Sequence, residues 1–202
     1  AAGNNGTGVS GVNWNAKIIA LKIGTDFGGP SVAAAIEALD YMALMRNTYD
    51  VNVVVSNNSW GGGPYSQALY DAIESSNNAG MLFVASAGNS GTDNDAAPHY
   101  PDGYDLDGII SVAATDHNDQ LAGFSQFGAT TVDIAAPGVD ILSTTVGGGY
   151  GLNSGTSMAS PHVTGVVGLL AGAHPGATLA ELKAAILLGA DPLAQLTGDV
   201  VT

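Results

Sequence analysis

Asn153-Ser154-Gly155-Thr156-Ser157-Met158-Ala159-Ser160-Pro161-His162 sets a glycine-flanked serine where a loop runs into a helix. The apolar run Val163 to Ala173 carries that helix onward, so the spacing predicts one helix over Thr156–Ala173. A helix N-terminus has free N–H groups and a partial positive charge, which suits a developing oxyanion. Ser157 is therefore open to two readings, a plain N-cap or a nucleophile. Pro161 lacks the N–H that would bond the Ser157 carbonyl, a strain that a simple cap does not require. His162 is not placed to serve Ser157 as a base, because five residues turn a helix by about 140° net. It reads as a packed helix histidine, and His174, near the end of that helix, as structural. His99 and His117 fall in or beside loops without metal-ligand partners at a recognisable spacing.

Outward from this helix, short β-branched runs alternate with helical patterns. Ala16–Ile23, Val51–Ser56, Met81–Ser86 and Ile109–Thr115 are near-continuous apolar runs, the pattern of strands buried on both faces. Val132–Ala136 and Asp140–Thr144 are shorter candidates. Helices are expected from a Ser31 cap to about Asn47, over Tyr65–Asn78, and over Thr178–Leu188 with Thr178 and Glu181 as a capping box. This order predicts an α/β fold of three layers, a mostly parallel central sheet with helices on both faces. Residues 1–202 read as one domain, with no internal linker or repeat. Two long loops, Gly88–Gly108 and Thr145–Gly155, each follow a strand, at the end of a parallel sheet where ligands bind.

Composition removes several function classes. The 202 residues carry 18 acidic and 4 Lys or Arg side chains, a net charge of −14 that gives nucleic acid or an anionic membrane no basic footprint. There is no cysteine, hence no disulfide, thiol nucleophile or Cys-rich zinc site. The longest apolar run has about half of the ~20 residues that a membrane helix needs. No secretory leader is visible at Ala1-Ala2-Gly3, and the chain does not begin with Met.

Three more segments could carry chemistry. Ser86-Ala87-Gly88-Asn89 follows a strand; it is either a simple turn or a means of aiming the Asn89 amide into a cleft as a second oxyanion donor. Ser59-Trp60-Gly61, after another strand, could expose backbone to an extended peptide. Gly3-Asn4-Asn5-Gly6-Thr7-Gly8-Val9 is rich in oxygen ligands and could hold Ca²⁺. Asp93, Asp95, Asp102, Asp105 and Asp107 do not match a calcium-loop pattern and read as a solvated acidic loop.

Taken together these segments resemble the subtilisin-like serine proteases, or subtilases. Gly155 to Gly165 is similar to the family's nucleophile signature, Asn4 to Val12 to its calcium loop, Ser59-Trp60-Gly61-Gly62 to its substrate-binding strand, and Ser86 to Asn89 to the oxyanion-hole segment. Phe124 to Gly128 and Val132 to Gly138 are also family-like, and all occur in family order. The resemblance implies a secreted serine endopeptidase with Ser157 as nucleophile and Asn89 as oxyanion donor. Peptide or protein substrate would lie between Ser59–Gly61 and Ser86–Gly88. Structural Ca²⁺ would be held by Gly3, Asn5, Thr7 and Val9. In the family the catalytic Asp and His precede the calcium loop, and no His-Gly-Thr-His type motif occurs here. The resemblance thus implies a C-terminal part of such a domain, ending short of the family's finish, whose partners include the upstream Asp/His segment or a propeptide.

Two rivals stand against a subtilase peptidase. In an α/β-hydrolase, Asp and then His follow the serine on later strands, yet His162 and His174 are the histidines after Ser157. The second rival is a catalytically inactive fragment that acts as a folding or interaction unit.

Overall fold

A computed structural model describes residues 3–24 and 28–202. Its elements in chain order are helix α1 (Val32–Tyr49), strand β1 (Val55–Asn58), α2 (Gln67–Asn78), β2 (Leu82–Ser86), β3 (Ile109–Thr115), β4 (Ile134–Pro137), β5 (Ile141–Thr144), β6 (Tyr150–Asn153), α3 (Thr156–Ala173) and α4 (Leu179–Leu188). β1 to β4 form a parallel sheet in sequential order. Alternation along β2 feeds both faces. Leu82 and Val84 join Ile110 and Val112 of β3 under Ala159, Val163 and Val167 of α3 and Leu182 and Ile186 of α4. Phe83 and Ala85 pack on the other face against Leu39 and Met42 of α1 and Leu69 and Ile73 of α2. The expected three layers are present, and these strand residues are buried by the helix layer on their own side.

Helix boundaries follow local chemistry. The Ser31 and Ser66 side chains cap α1 and α2, and Thr178 with Glu181 forms the expected capping box on α4. Tyr65 thus lies outside α2, where its ring stands edge-on to Tyr100 and Tyr104.

Several expectations are corrected. Residues 16–23 form no strand: Ile18 and Ile19 are 75% and 42% exposed, while Leu21 and Ile23 pack against the α1–α2 layer. An apolar run sets a tendency to be buried, but a strand also needs a ladder, and no ladder forms over these residues. β1 lies later than its apolar run, because Asp50 ends α1 in a left-handed conformation and residues 51–53 complete that turn. β5 does not join the parallel sheet. It pairs antiparallel with β6, so Tyr150–Asn153 of the Thr145–Gly155 loop is a strand, and the hairpin closes through Thr145 N–H donating to the Gly149 carbonyl.

The small residues of α3 divide between two neighbours. Thr156, Ala159, Ser160, Val163 and Val167 are the buried positions, whereas Gly165 and Gly168 abut Val12 and Asn13 of the N-terminal segment, and a Cβ at Gly172 would meet none of the described residues.

The Thr178 N–H and then its hydroxyl bond the Glu181 carboxylate and hold it below the usual carboxylate range. A lowered acid stabilises the fold above its unfolded pKa and loses that contribution as pH falls through the folded value. Thr178→Ala is expected to lower the unfolding free energy by about 1 kcal/mol at neutral pH. In urea titrations, its difference from the parent should narrow in acid.

Candidate active site

The carboxyl ends of β1 and β2 lie side by side, with Asn58 in register with Ala85. The chain leaves β1 as Ser59-Trp60-Gly61 and leaves β2 as Ala87-Gly88-Asn89, and the first turn of α3 sits against both exits. Gly155 is the N-cap, with φ 156°, and no side chain caps the helix. Ser157 is therefore not a cap; it is the second helical residue. Its hydroxyl donates to the Ser59 carbonyl at 3.3 Å.

The carbonyl that Pro161 leaves without an intrahelical donor is answered from the neighbouring strand. Ser59 Oγ donates to the Ser157 carbonyl at 2.8 Å and lies 2.9 Å from Ser160 Oγ. β1's exit and the serine's turn are thus joined by a reciprocal pair of bonds, side chain to backbone in each direction.

β2's exit is bonded as firmly. Thr156 is fully buried; its N–H and hydroxyl both donate to Asn89 Oδ1, at 2.8 and 3.0 Å, and its Oγ1 accepts from Gly88 N–H at 3.2 Å. A backbone N–H can only donate, so the Asn89 oxygen is the atom turned toward α3 and its Nδ2 is left available as a donor. Asn89 and Ser157 line one cleft of about 580 Å³ together with Trp60, Gly61, Gly62, Ser86 and Gly88. Of the residues singled out from sequence, Ser157, Asn89, Ser59, Trp60, Gly61, Ser86, Ala87 and Gly88 all converge here. Ala87 is wholly buried beneath the cleft, and its carbonyl accepts from Asn94 Nδ2 at 3.0 Å.

Gly3, Asn5, Thr7 and Val9 belong to a separate, largely exposed loop. Asn5 Oδ1 accepts from Thr7 N–H at 3.2 Å, and Asn4, Gly6 and Gly8 have positive φ. The described residues contain no cluster of three His, Cys, Asp or Glu side chains able to hold a metal. A site here would consist of neutral oxygens alone.

The histidines sort as follows. His162 Nδ1 lies 2.9 Å from the Met158 carbonyl, a bond within its own helix, and His174 is the exposed C-cap of α3. His99 lines the same cleft as Ser157, and its Nδ1 bonds Asp102. Asp102 is not part of a solvated acidic loop, since only 2% of it is exposed. Burial pushes its carboxyl above the usual carboxylate range, opposed by hydrogen bonds from His99 and Ser111. Neither this pair nor the roles of Thr156, Asn94 and Gln126 were found in the sequence. A His and an Asp three apart in a Gly- and Asp-rich loop look like surface residues until the fold buries one of them. Among the described residues no hydrogen bond joins His99 to Ser157.

A serine hydroxyl beside a helix N-terminus and a fixed side-chain amide donor is the equipment of acyl transfer. The Subtilase family profile (peptidase S8) matches residues 1–199. Thermitase of Thermoactinomyces vulgaris is 38% identical over 96% of this chain and 64% of its own length. The thermophilic serine proteinase of Bacillus sp. strain AK1 is 37% identical over 94% of this chain and 44% of its own length. A crystal structure of a cold-adapted subtilisin-like serine proteinase superposes with a TM-score of 0.71 at 34% identity, covering 80% of this chain and 56% of that one. The chain belongs to the subtilase family, and it spans 44% to 64% of the length of these curated relatives.

Ser59→Ala would leave the Ser157 carbonyl without its donor. The expected cost is about 1–3 kcal/mol of stability, read as a lower urea midpoint with an unchanged slope.

Proposed function

We propose that this chain provides the nucleophile, oxyanion hole and substrate cleft of a secreted subtilase serine endopeptidase. The observation that carries the reading is the first turn of α3, where Ser157 is set beside Asn89 by Thr156 and against the peptide-binding wall by Ser59. An extended peptide lies along Ser59–Gly61, with Ser86–Gly88 as the opposite wall. Ser157 Oγ bonds to the scissile carbonyl carbon while its proton passes to a general base. The carbonyl oxygen, now negative, is held by Asn89 Nδ2 and the Ser157 N–H. Collapse of this adduct breaks the C–N bond as the amine takes the proton, and water then releases the acyl group.

The base is not among the histidines of this chain. His162 is turned to the Met158 carbonyl, His117 to Asn118, and His174 ends α3; His99 lines the cleft with its Nδ1 on Asp102, but among the described residues no hydrogen bond joins it to Ser157. These residues alone are therefore expected to hydrolyse peptides far below a protease rate, and an Asp/His segment supplied in trans is the partner that restores it. The thermophilic serine proteinase and the cold-adapted subtilisin-like serine proteinase named above, each a proteinase by name, favour this reading over an inert folding unit. The described residues contain no helix long and apolar enough to cross a membrane.

Ca²⁺ is proposed at the Gly3, Thr7 and Val9 carbonyls and the Asn5 side chain. This oxygen-only set suits a hard cation, but without a carboxylate it binds weakly. Its contribution is structural, holding the N-terminal loop. Tight calorimetric binding of Ca²⁺, lost in Asn5→Ala, would show the site to be stronger than this.

The central test uses a fluorophosphonate probe and intact mass. Labelling at Ser157, absent in Ser157→Ala and lowered about 10²–10³-fold in rate by Asn89→Ala, is the expected result. Labelling that is unaffected by Asn89→Ala removes the oxyanion role, and no labelling with or without the Asp/His segment favours the inert unit.

A further inference from the structure

Among the described residues, the cleft beside Ser157 is lined by one imidazole, that of His99, and by no carboxylate, Lys or Arg, and the way His99 is held bears on what the cleft accepts. Its ring edge reaches both walls. A Cβ on Gly61 would lie 2.6 Å from His99 Cε1, and one on Gly88 would lie 3.1 Å from His99 Nε2 and closer still to Gln126 Oε1. The slot between the walls therefore ends on two polar atoms, the imidazole Nε2 and the Gln126 amide.

Buried hydrogen bonds decide what those atoms offer. Asp102 Oδ2 accepts from Ser111 Oγ at 3.0 Å and from Asn94 Nδ2 at 3.3 Å, and its Oδ1 lies against His99 Nδ1. A carboxylate can only accept, so a neutral imidazole facing it carries its proton on Nδ1, and Nε2 presents a lone pair to the slot. Asn94 Nδ2 also donates to the Ala87 carbonyl, which leaves Asn94 Oδ1 as an acceptor, and Gln126 Nε2 donates to it at 2.6 Å. With its nitrogen so engaged, Gln126 has its oxygen free toward Gly88. Asn94, Asp102, Ser111 and Gln126 are each 4% exposed or less, so this orientation is fixed before any ligand arrives.

We propose that His99 and Gln126 are the specificity-determining floor of the side-chain pocket beside Ser157, and that they select a basic side chain, arginine best, at the residue whose carbonyl meets Ser157. Two acceptors fixed near one point match the forked N–H donors of a guanidinium better than a single ammonium. A carboxylate would meet two lone pairs and the Asp102 charge behind them. A large apolar side chain would leave both acceptors dry and unpaired, which is how a hydrogen-bonding pocket rejects ligands that lack donors. The chain's net charge of −14 adds attraction for a cation.

This assignment rests on the peptide-cleft reading, and its test separates the two. N-acetyl-Ala-Ala-Ala-X peptides with X as Arg, Leu or Glu, and N-acetyl-Ala-Ala-Arg-Ala as a charge control, are titrated into the 202-residue chain by calorimetry. The Arg-ending peptide is expected to bind at least tenfold tighter than the other three, and His99→Leu to abolish that preference. Because that variant unpairs a buried carboxylate and can misfold, the parent chain is also read by long-range ¹H–¹⁵N NMR. There His99 should be the Nδ1–H tautomer, with its Nε2 signal moving on addition of the Arg-ending peptide and not of the Leu-ending one. Tighter binding of the Leu or Glu peptide, equal binding of the charge control, or an Nε2–H tautomer overturns the specificity while leaving the cleft intact. Failure of all four peptides to bind overturns the cleft itself, and with it this inference.

Discussion

A proline placed one turn into α3 governs the architecture of the cleft. Without an N–H at Pro161, the Ser157 carbonyl must find a donor outside its helix, and the nearest is the hydroxyl at β1's exit. The same first turn has free N–H groups, and one of them is met by the Asn89 side chain at β2's exit. Two unmet needs of a single helical turn are thus answered by two adjacent strand ends. Their answers hold the serine, the amide donor and the two cleft walls in one geometry. An unpaired buried polar group costs enough that the sheet and the helix cannot slide independently.

A second buried network stiffens the other side. Asn94, Asp102, Ser111 and Gln126 connect the long loop after β2 to β3 and to the loop that follows β3. Loops are ordinarily the mobile parts of a fold. Here the loop is fastened by hydrogen bonds to a wholly buried carboxylate. Asp95, farther along the same loop, is fastened separately: burial pushes its carboxyl up, but donors from Thr130 and Thr131 outweigh this and hold it low. The charged residues of this segment are therefore not one solvated cluster. Some of them organise the loop, and one lies beneath the cleft floor.

The three layers, the helix bearing Ser157 and the capping box on α4 could all be read in the order of residues. Each is a local property: apolar runs long enough for a buried strand, helical spacing, and a Thr three residues before a Glu. The strand expected over residues 16–23 shows where that reasoning stops. Apolar character describes what a segment prefers to bury, whereas a ladder depends on a second segment distant in sequence. β5 and β6 make the converse point. Their residues read partly as loop because a solvated hairpin has little apolar signature, and pairing alone defines it.

The sequence by itself determined the family, because its signature is carried in contiguous stretches such as Gly155–Gly165. It also determined the parallel sheet, which follows from the apolar runs and their period, and a strongly acidic balance of 18 Asp and Glu against 4 Lys and Arg. Only the tertiary structure decided that Ser157 is not a cap, that Ser59 meets the carbonyl orphaned by Pro161, and that His99, lining the cleft, pairs with a buried Asp102. The physical reason is common to all three. Whether a polar group is a surface residue, a cap or part of a site depends on which partners burial leaves within hydrogen-bonding reach, and those partners come from segments about 70 to 100 residues away along the chain for Ser157 and Thr156.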